Sequence, residues 1–237
     1  VDLNAYDLVL KCFFGIEFLQ NSLSAVIFPK LYEIWTKNKE NSTTKESNRY
    51  FNVFTAINIL QIILFCLCIP LMYHWLLDKP GFYRAEMYIG LLASGYALRS
   101  ILNFYISTIL FSKKINVLLK ISVVSAVFQI VVVFIASKYY GLMGAIYAGL
   151  ATKVVQVIFS IVFSKGTFNY QFNYFKIIVV PFILIAVNLV QFLFFPVYNW
   201  LFYAGQFALF SLIFFFLFRN EITAVYLQFL GKKSGKV

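Results

Sequence analysis

The chain has 237 residues, of which 62% are hydrophobic, 20% aromatic and only 12% charged, with a formal net charge of +11. An ordinary soluble domain carries about 25% charged residues, so this chain has too few polar side chains to cover a water-soluble surface. The positive charge does not point to nucleic acid: the basic residues form no patch or tail with interleaved aromatics. They sit in the connections between apolar runs, where membrane topology places them.

Continuous apolar runs of about 20 residues recur, each long enough to cross about 30 Å of hydrocarbon as a helix. Only helices and closed barrels satisfy the backbone in lipid, and barrel strands would alternate where these runs stay apolar. The sequence predicts an all-α membrane protein: a bundle of seven transmembrane helices within residues 1–218 and a basic cytoplasmic tail at 219–237. The segments fall at 5–28, 53–77, 87–111, 118–137, 141–163, 176–195 and 201–218. The first is the least apolar, carrying Asp7, Lys11 and Glu17, and is expected to stop at Pro29. The longest hydrophilic connection follows, from Lys30 to Arg49, and Pro80-Gly81 marks a turn after the second segment. The chain opens on Val1-Asp2-Leu3 with no basic stretch ahead of an apolar one. It therefore reads as the interior of a longer protein without a signal peptide.

Lys and Arg set the orientation. Seven crossings put Lys30, Lys37, Lys39, Lys45, Arg49, Lys113, Lys114, Lys120, Lys165, Lys176, Arg219, Lys232, Lys233 and Lys236 on one side, and only Lys79, Arg84 and Lys138 on the other. That bias places the C-terminus and the long first connection in the cytoplasm. The outer connections are too short for a folded external domain.

Three basic residues, Lys11, Arg99 and Lys153, fall inside apolar segments. A charge at the bilayer centre costs about 2.5–3.5 kcal/mol on insertion scales, so it must face a partner or a wet cavity. Arg99, Lys153 and Glu17 lie near the middle of three different segments. Helical spacing puts Tyr96, Arg99, Asn103 and Ser107 on one face, Gly149, Lys153, Gln156 and Ser160 on another, and Glu17, Asn21 and Ser24 on a third. Asn58 with Gln61, Ser125 with Gln129, and Asn188 with Gln191 extend the pattern. Converging, these stripes would line a central hydrophilic cavity of net positive character. The bland reading stays open: Arg99 or Lys153 pairs with Glu17 to hold the bundle, and the amides are interhelical hydrogen-bond partners.

Cys12, Cys66 and Cys68 lie within apolar segments at no metal-ligand or disulfide spacing, and the lone His74 has no nucleophile elbow around it. The expected site therefore holds no metal, cofactor or catalytic residue, and the chain is not expected to be an enzyme.

At the fourth and fifth segments the run Lys138-Tyr139-Tyr140-Gly141-Leu142-Met143-Gly144-Ala145-Ile146-Tyr147-Ala148-Gly149 joins two apolar helices directly. It resembles the G-x-x-G-A-x-x-A hairpin of polysaccharide and O-antigen flippases in the multidrug/oligosaccharidyl-lipid/polysaccharide (MOP) exporter superfamily. The first segment ending in Pro29-Lys30-Leu31-Tyr32 before a basic connection is also similar. The order of segments resembles that family's C-terminal half. The chain departs from the pattern at Ile146, where a second Ala often stands, and at Gln129, where an Asn often stands. The resemblance implies one lobe of a two-lobed transporter, with an N-terminal lobe missing. The implied partners are the bilayer and a polyprenyl-diphosphate-linked oligosaccharide, flipped across the inner membrane by alternating access. On the residues themselves, the candidate substrate-binding set is Arg99, Lys153, Lys11, Asn103 and Gln156. Glu17 either binds a coupling proton or Na+ or pairs with Arg99. The competing classes are a MATE-like drug or cation exporter, which calls for a carboxylate-dominated cavity, a membrane-embedded polysaccharide polymerase, which calls for a large outer loop, and a non-transporting scaffold.

Overall fold

The computed structural model describes residues 2–37, 45–72, 75, 84–164, 173–194 and 200–234. The described residues are helical apart from short connections and contain no strand. The helices are α1 (Asp2–Lys37), α2 (Lys45–Met72), α3 (Ile89–Phe111), α4 (Ile115–Ser164), α5 (Val180–Phe194) and α6 (Trp200–Ser234). A 3₁₀ turn at Arg84–Tyr88 leads into α3, and a π-helical turn at Phe175–Val179 leads into α5. Six helices are long and apolar enough to cross a membrane, so the chain is an all-α membrane protein. The expected seven separate helices are corrected to six, because segments 118–137 and 141–163 form one helical element, α4. Their connection is a single residue: Gly141 has φ 58° and ψ −136°, outside the helical region.

Gly141 does more than bend the element. A methyl group on Gly144 would lie 2.0 Å from the Ala136 carbonyl oxygen. Eight residues of straight helix separate their ends by about 12 Å, so α4 folds back on itself at Gly141. Glycine is required at both places, at Gly141 by a backbone conformation closed to side chains and at Gly144 by contact with another residue's main chain.

Other boundaries also shift. α1 does not stop at Pro29 but runs on to Lys37. An interior proline removes one helical hydrogen bond, but here Leu31, Ile34 and Trp35 are buried on the continuation. Trp35 packs on Phe111 at 5.0 Å and on Phe51 at 6.0 Å between ring centres, and Phe51 meets Phe104 edge-on at 4.1 Å. Each such aromatic pair adds about 0.5–1.5 kcal/mol beyond area burial, and together they tie α1, α2 and α3 at one end of the bundle. α6 likewise continues through the residues expected to form a tail, as far as Ser234. The end of the second expected segment, His74 and the Pro80-Gly81 turn lie outside the described residues.

α3 is the most buried of these helices and α4 the least. α3 packs against α1, α2, α4 and α5. Gly90, Ala93, Ser94, Gly95 and Ala97 make this possible, since all are buried and small. At its end Lys114 N–H bonds to the Ile109 carbonyl and Lys113 N–H to the Leu110 carbonyl, with Lys113 at φ 55°. This is the Schellman arrangement with lysine in the usual glycine position, and it turns the chain straight into α4.

Gly141→Ala is expected to cost about 1–3 kcal/mol of backbone strain and Gly144→Ala to lower thermal stability further, because the atom it meets is main chain. Gly149 faces open space within its helix, so Gly149→Ala should leave stability unchanged or raise it by about 0.5–1 kcal/mol. Melting of the detergent-purified variants, followed by size exclusion, checks this order.

Candidate functional site

Three helices bring their mid-depth charges together. From α3, Arg99 donates to the Glu17 carboxylate of α1 at 2.8 Å and to Asn21 Oδ1 at 3.2 Å. One turn earlier on α3, Gly95 leaves room for the Lys153 side chain of α4, whose Cδ and Cε lie 3.3 and 3.4 Å from where a Gly95 methyl group would be. The Lys153 ammonium reaches over the Tyr96 ring, 5.7 Å from its centre. Tyr96 is stacked on Phe13 of α1, and its carbonyl accepts from Gln20 Nε2. Lys153 is repelled by Arg99 and attracted by Glu17.

The charges do not balance. Glu17 compensates Arg99, and no carboxylate lies within 4 Å of Lys153 among the described residues. The ring face of Tyr96 gives it a cation–π contact, worth about 2 kcal/mol or more when desolvated, but no counter-charge. The Arg99 and Glu17 side chains are 22% and 37% exposed, so the pair lies at an accessible edge. The cluster thus presents two cations and one carboxylate.

The remaining expected site residues are placed elsewhere or left unengaged. Lys11 pairs with Asp7 one turn away at 2.6 Å, with side chains 64% and 53% exposed. It lies about 9 Å of helix rise from Glu17, and the structure does not bring it into the cluster. Asn103 and Gln156 are half-buried neighbours of Arg99 and Lys153 along their helices and make no side-chain hydrogen bond among the described residues. The polar stripes do not converge on one site. Asn188 of α5 bonds to Ser94 of α3 at 3.4 Å and accepts from Gln206 of α6 at 2.9 Å, forming a separate interhelical lock. Asn58 is fully buried on α2, with neither amide atom hydrogen-bonded among the described residues.

A third network was not anticipated from the sequence. Lys176, in the π-helical turn, pairs with Glu221 of α6 and donates to the Leu217 carbonyl, 5.2 Å above the Phe218 ring. Asn52 of α2 donates to the same carboxylate at 3.1 Å. Residues 45 apart in sequence leave no local pattern by which such a pair is found. Gln20 was also missed, because an amide bonded to a main-chain carbonyl needs no partner side chain.

Compared with known proteins, the chain matches no family model, no curated sequence and no solved structure. The functional argument therefore rests on the cluster itself.

If the Arg99–Glu17 contact clamps α1 to α3, Glu17→Gln and Arg99→Gln will be non-additive. The expected coupling is about 0.5–3 kcal/mol in a double-mutant cycle on thermal or denaturant stability. Additive losses would separate the two residues energetically.

Proposed function

We propose that this chain translocates a polyprenyl-diphosphate-linked oligosaccharide across the bacterial inner membrane, for surface polysaccharide or O-antigen assembly. The observation that carries the reading is the meeting of Lys153 and Arg99 beside Tyr96 with Glu17 as their single carboxylate among the described residues. A diphosphate is the complementary ligand for such a site. At an effective dielectric of about 20, unit charges 4 Å apart interact by about 4 kcal/mol, and the low-dielectric surroundings screen this weakly. Lys153 is the first contact, since among the described residues it has no carboxylate to leave. Arg99 must exchange Glu17 for the substrate, so binding breaks the Arg99–Glu17 contact and leaves Glu17 as the candidate ion-coupling residue. Alternating access then carries the bound headgroup from one side to the other, one half of the transporter rocking against the other. A cation exporter needs the opposite charge balance.

The orientation in this reading has seven crossings, with the two limbs of α4 passing separately and the C-terminus cytoplasmic. Asn173 N–H donates to Asn48 Oδ1 at 3.2 Å, so the start of α2 and the approach to α5 lie at one end of the bundle. α2 and α3 take the chain out and back. Two passes of α4, out and back, agree with that placement and support the orientation.

In proteoliposomes, Lys153→Ala and Arg99→Ala should each lower the rate of lipid-linked oligosaccharide flipping at least about tenfold, as loss of a charged hydrogen-bond partner worth about 1.5–3 kcal/mol requires, with normal membrane levels. Wild-type rates in both variants would refute the cation site. Impermeant maleimide, applied to intact cells carrying cysteine-replaced protein, should label Lys138→Cys but neither Lys113→Cys nor Ser164→Cys. Labelling of Ser164→Cys from outside would mean that α4 crosses once.

A further inference from the structure

Away from the mid-depth cluster, a cavity of about 330 Å³ opens where α2, the approach to α5 and α6 meet. It is lined by Asn48, Arg49, Asn52, Asn173, Asn220 and Glu221. Ligand pockets are usually mostly apolar, whereas every one of these six side chains is polar. A ligand held by hydrogen bonds fits this lining better than an acyl chain.

The hydrogen bonds around the cavity decide the sign of its ligand. Glu221 is compensated by Lys176 and by the Asn52 amide. The remaining acceptor atoms of this pair, Glu221 Oε2 and Asn52 Oδ1, are buried and make no hydrogen bond among the described residues. Asn173 uses its side-chain oxygen to accept the Lys176 N–H at 3.4 Å, which turns its NH₂ group to other partners. Arg49 has no carboxylate within 4 Å among the described residues. Asn220 is exposed at the rim. The accessible groups are thus a guanidinium and amide donors, with one positive charge left over.

We infer that this cavity binds a phosphate group at the end of the bundle that holds the start of α2. Guanidinium forks match phosphate oxygens in geometry as well as charge. Basic pockets at the ends of membrane-spanning helices bind anionic lipid headgroups. The shared chemistry is a phosphate monoester or diester, whether it belongs to a membrane phospholipid or to a soluble molecule. The site is independent of the mid-depth cluster and of the transport reading.

The test uses the full chain in detergent micelles, titrated with inorganic phosphate and separately with short-chain phosphatidylglycerol, with short-chain diacylglycerol as the phosphate-free reference and binding read by native mass spectrometry. Selective binding of phosphatidylglycerol identifies a lipid headgroup as the ligand, and binding of inorganic phosphate alone identifies a soluble one. In either case Arg49→Ala should weaken binding at least about tenfold. Asn220→Asp changes only an exposed rim residue, so folding is not at issue, and it should weaken binding about fivefold by repulsion. The inference is overturned if neither probe binds better than diacylglycerol, or if both variants bind as wild type does. Probe binding that Lys153→Ala abolishes and Arg49→Ala leaves intact belongs to the mid-depth cluster and overturns the inference, which separates its outcome from that of the transport assays.

Discussion

Hydrocarbon does not hydrate a charge, so Arg99, near the middle of α3, must be met by neighbouring helices. Glu17 and Asn21 of α1 meet it. This contact joins α1 to α3, and α2, α4 and α5 also pack on α3. The small residues along α3 are the second half of the constraint. Gly90 admits the α5 backbone at Asn188, and Gly95 admits the stem of Lys153. A larger residue at Gly95 would push Lys153 out of the position from which it reaches Tyr96. Packing and charge placement on α3 are thus one design: small side chains bring the neighbours close, and the neighbours bring their charges with them.

The fold-back of α4 has the same economy. An apolar element of 50 residues would be about 75 Å long if straight, far more than a bilayer about 30 Å thick requires. One glycine in a conformation barred to other residues reverses it, and a second lets the two limbs touch. The reversal returns the chain to the end of the bundle where Asn173 meets Asn48. It also sets Lys153 in the second limb at the depth of Arg99.

Much of this is legible in the sequence because charges stand out against apolar runs. Glu17, Arg99 and Lys153 are found by position alone, and the pairing of Glu17 with Arg99 stands among the open alternatives. Gly141 and Gly144 are visible as a tight turn, although the turn is so short that two segments become one helical element. What fails is governed by contacts distant in sequence. Pro29 is a local stop signal, overridden by the burial of Trp35 against Phe51 and Phe111. Glu221 reads as part of a polar tail until Lys176 and Asn52 are found against it. Lys11 lies in an apolar segment like the other two cations, but its partner Asp7 is on its own helix at i−4, so no second helix is needed to satisfy it. The amide stripes share helix faces as expected, yet which neighbour each face meets depends on helix rotation, which periodicity does not specify.

The central claim is that the mid-depth cluster carries one more cation than carboxylate and that Lys153 supplies it. Its most direct test is the affinity of the purified protein for a short polyprenyl diphosphate, compared between wild type and Lys153→Gln. The account predicts binding by the wild type and a loss of at least about tenfold in the variant, in line with a charged hydrogen bond worth about 1.5–3 kcal/mol, with melting temperature maintained. Equal affinity in the two proteins would contradict it and leave the Arg99–Glu17 contact as a structural clamp alone.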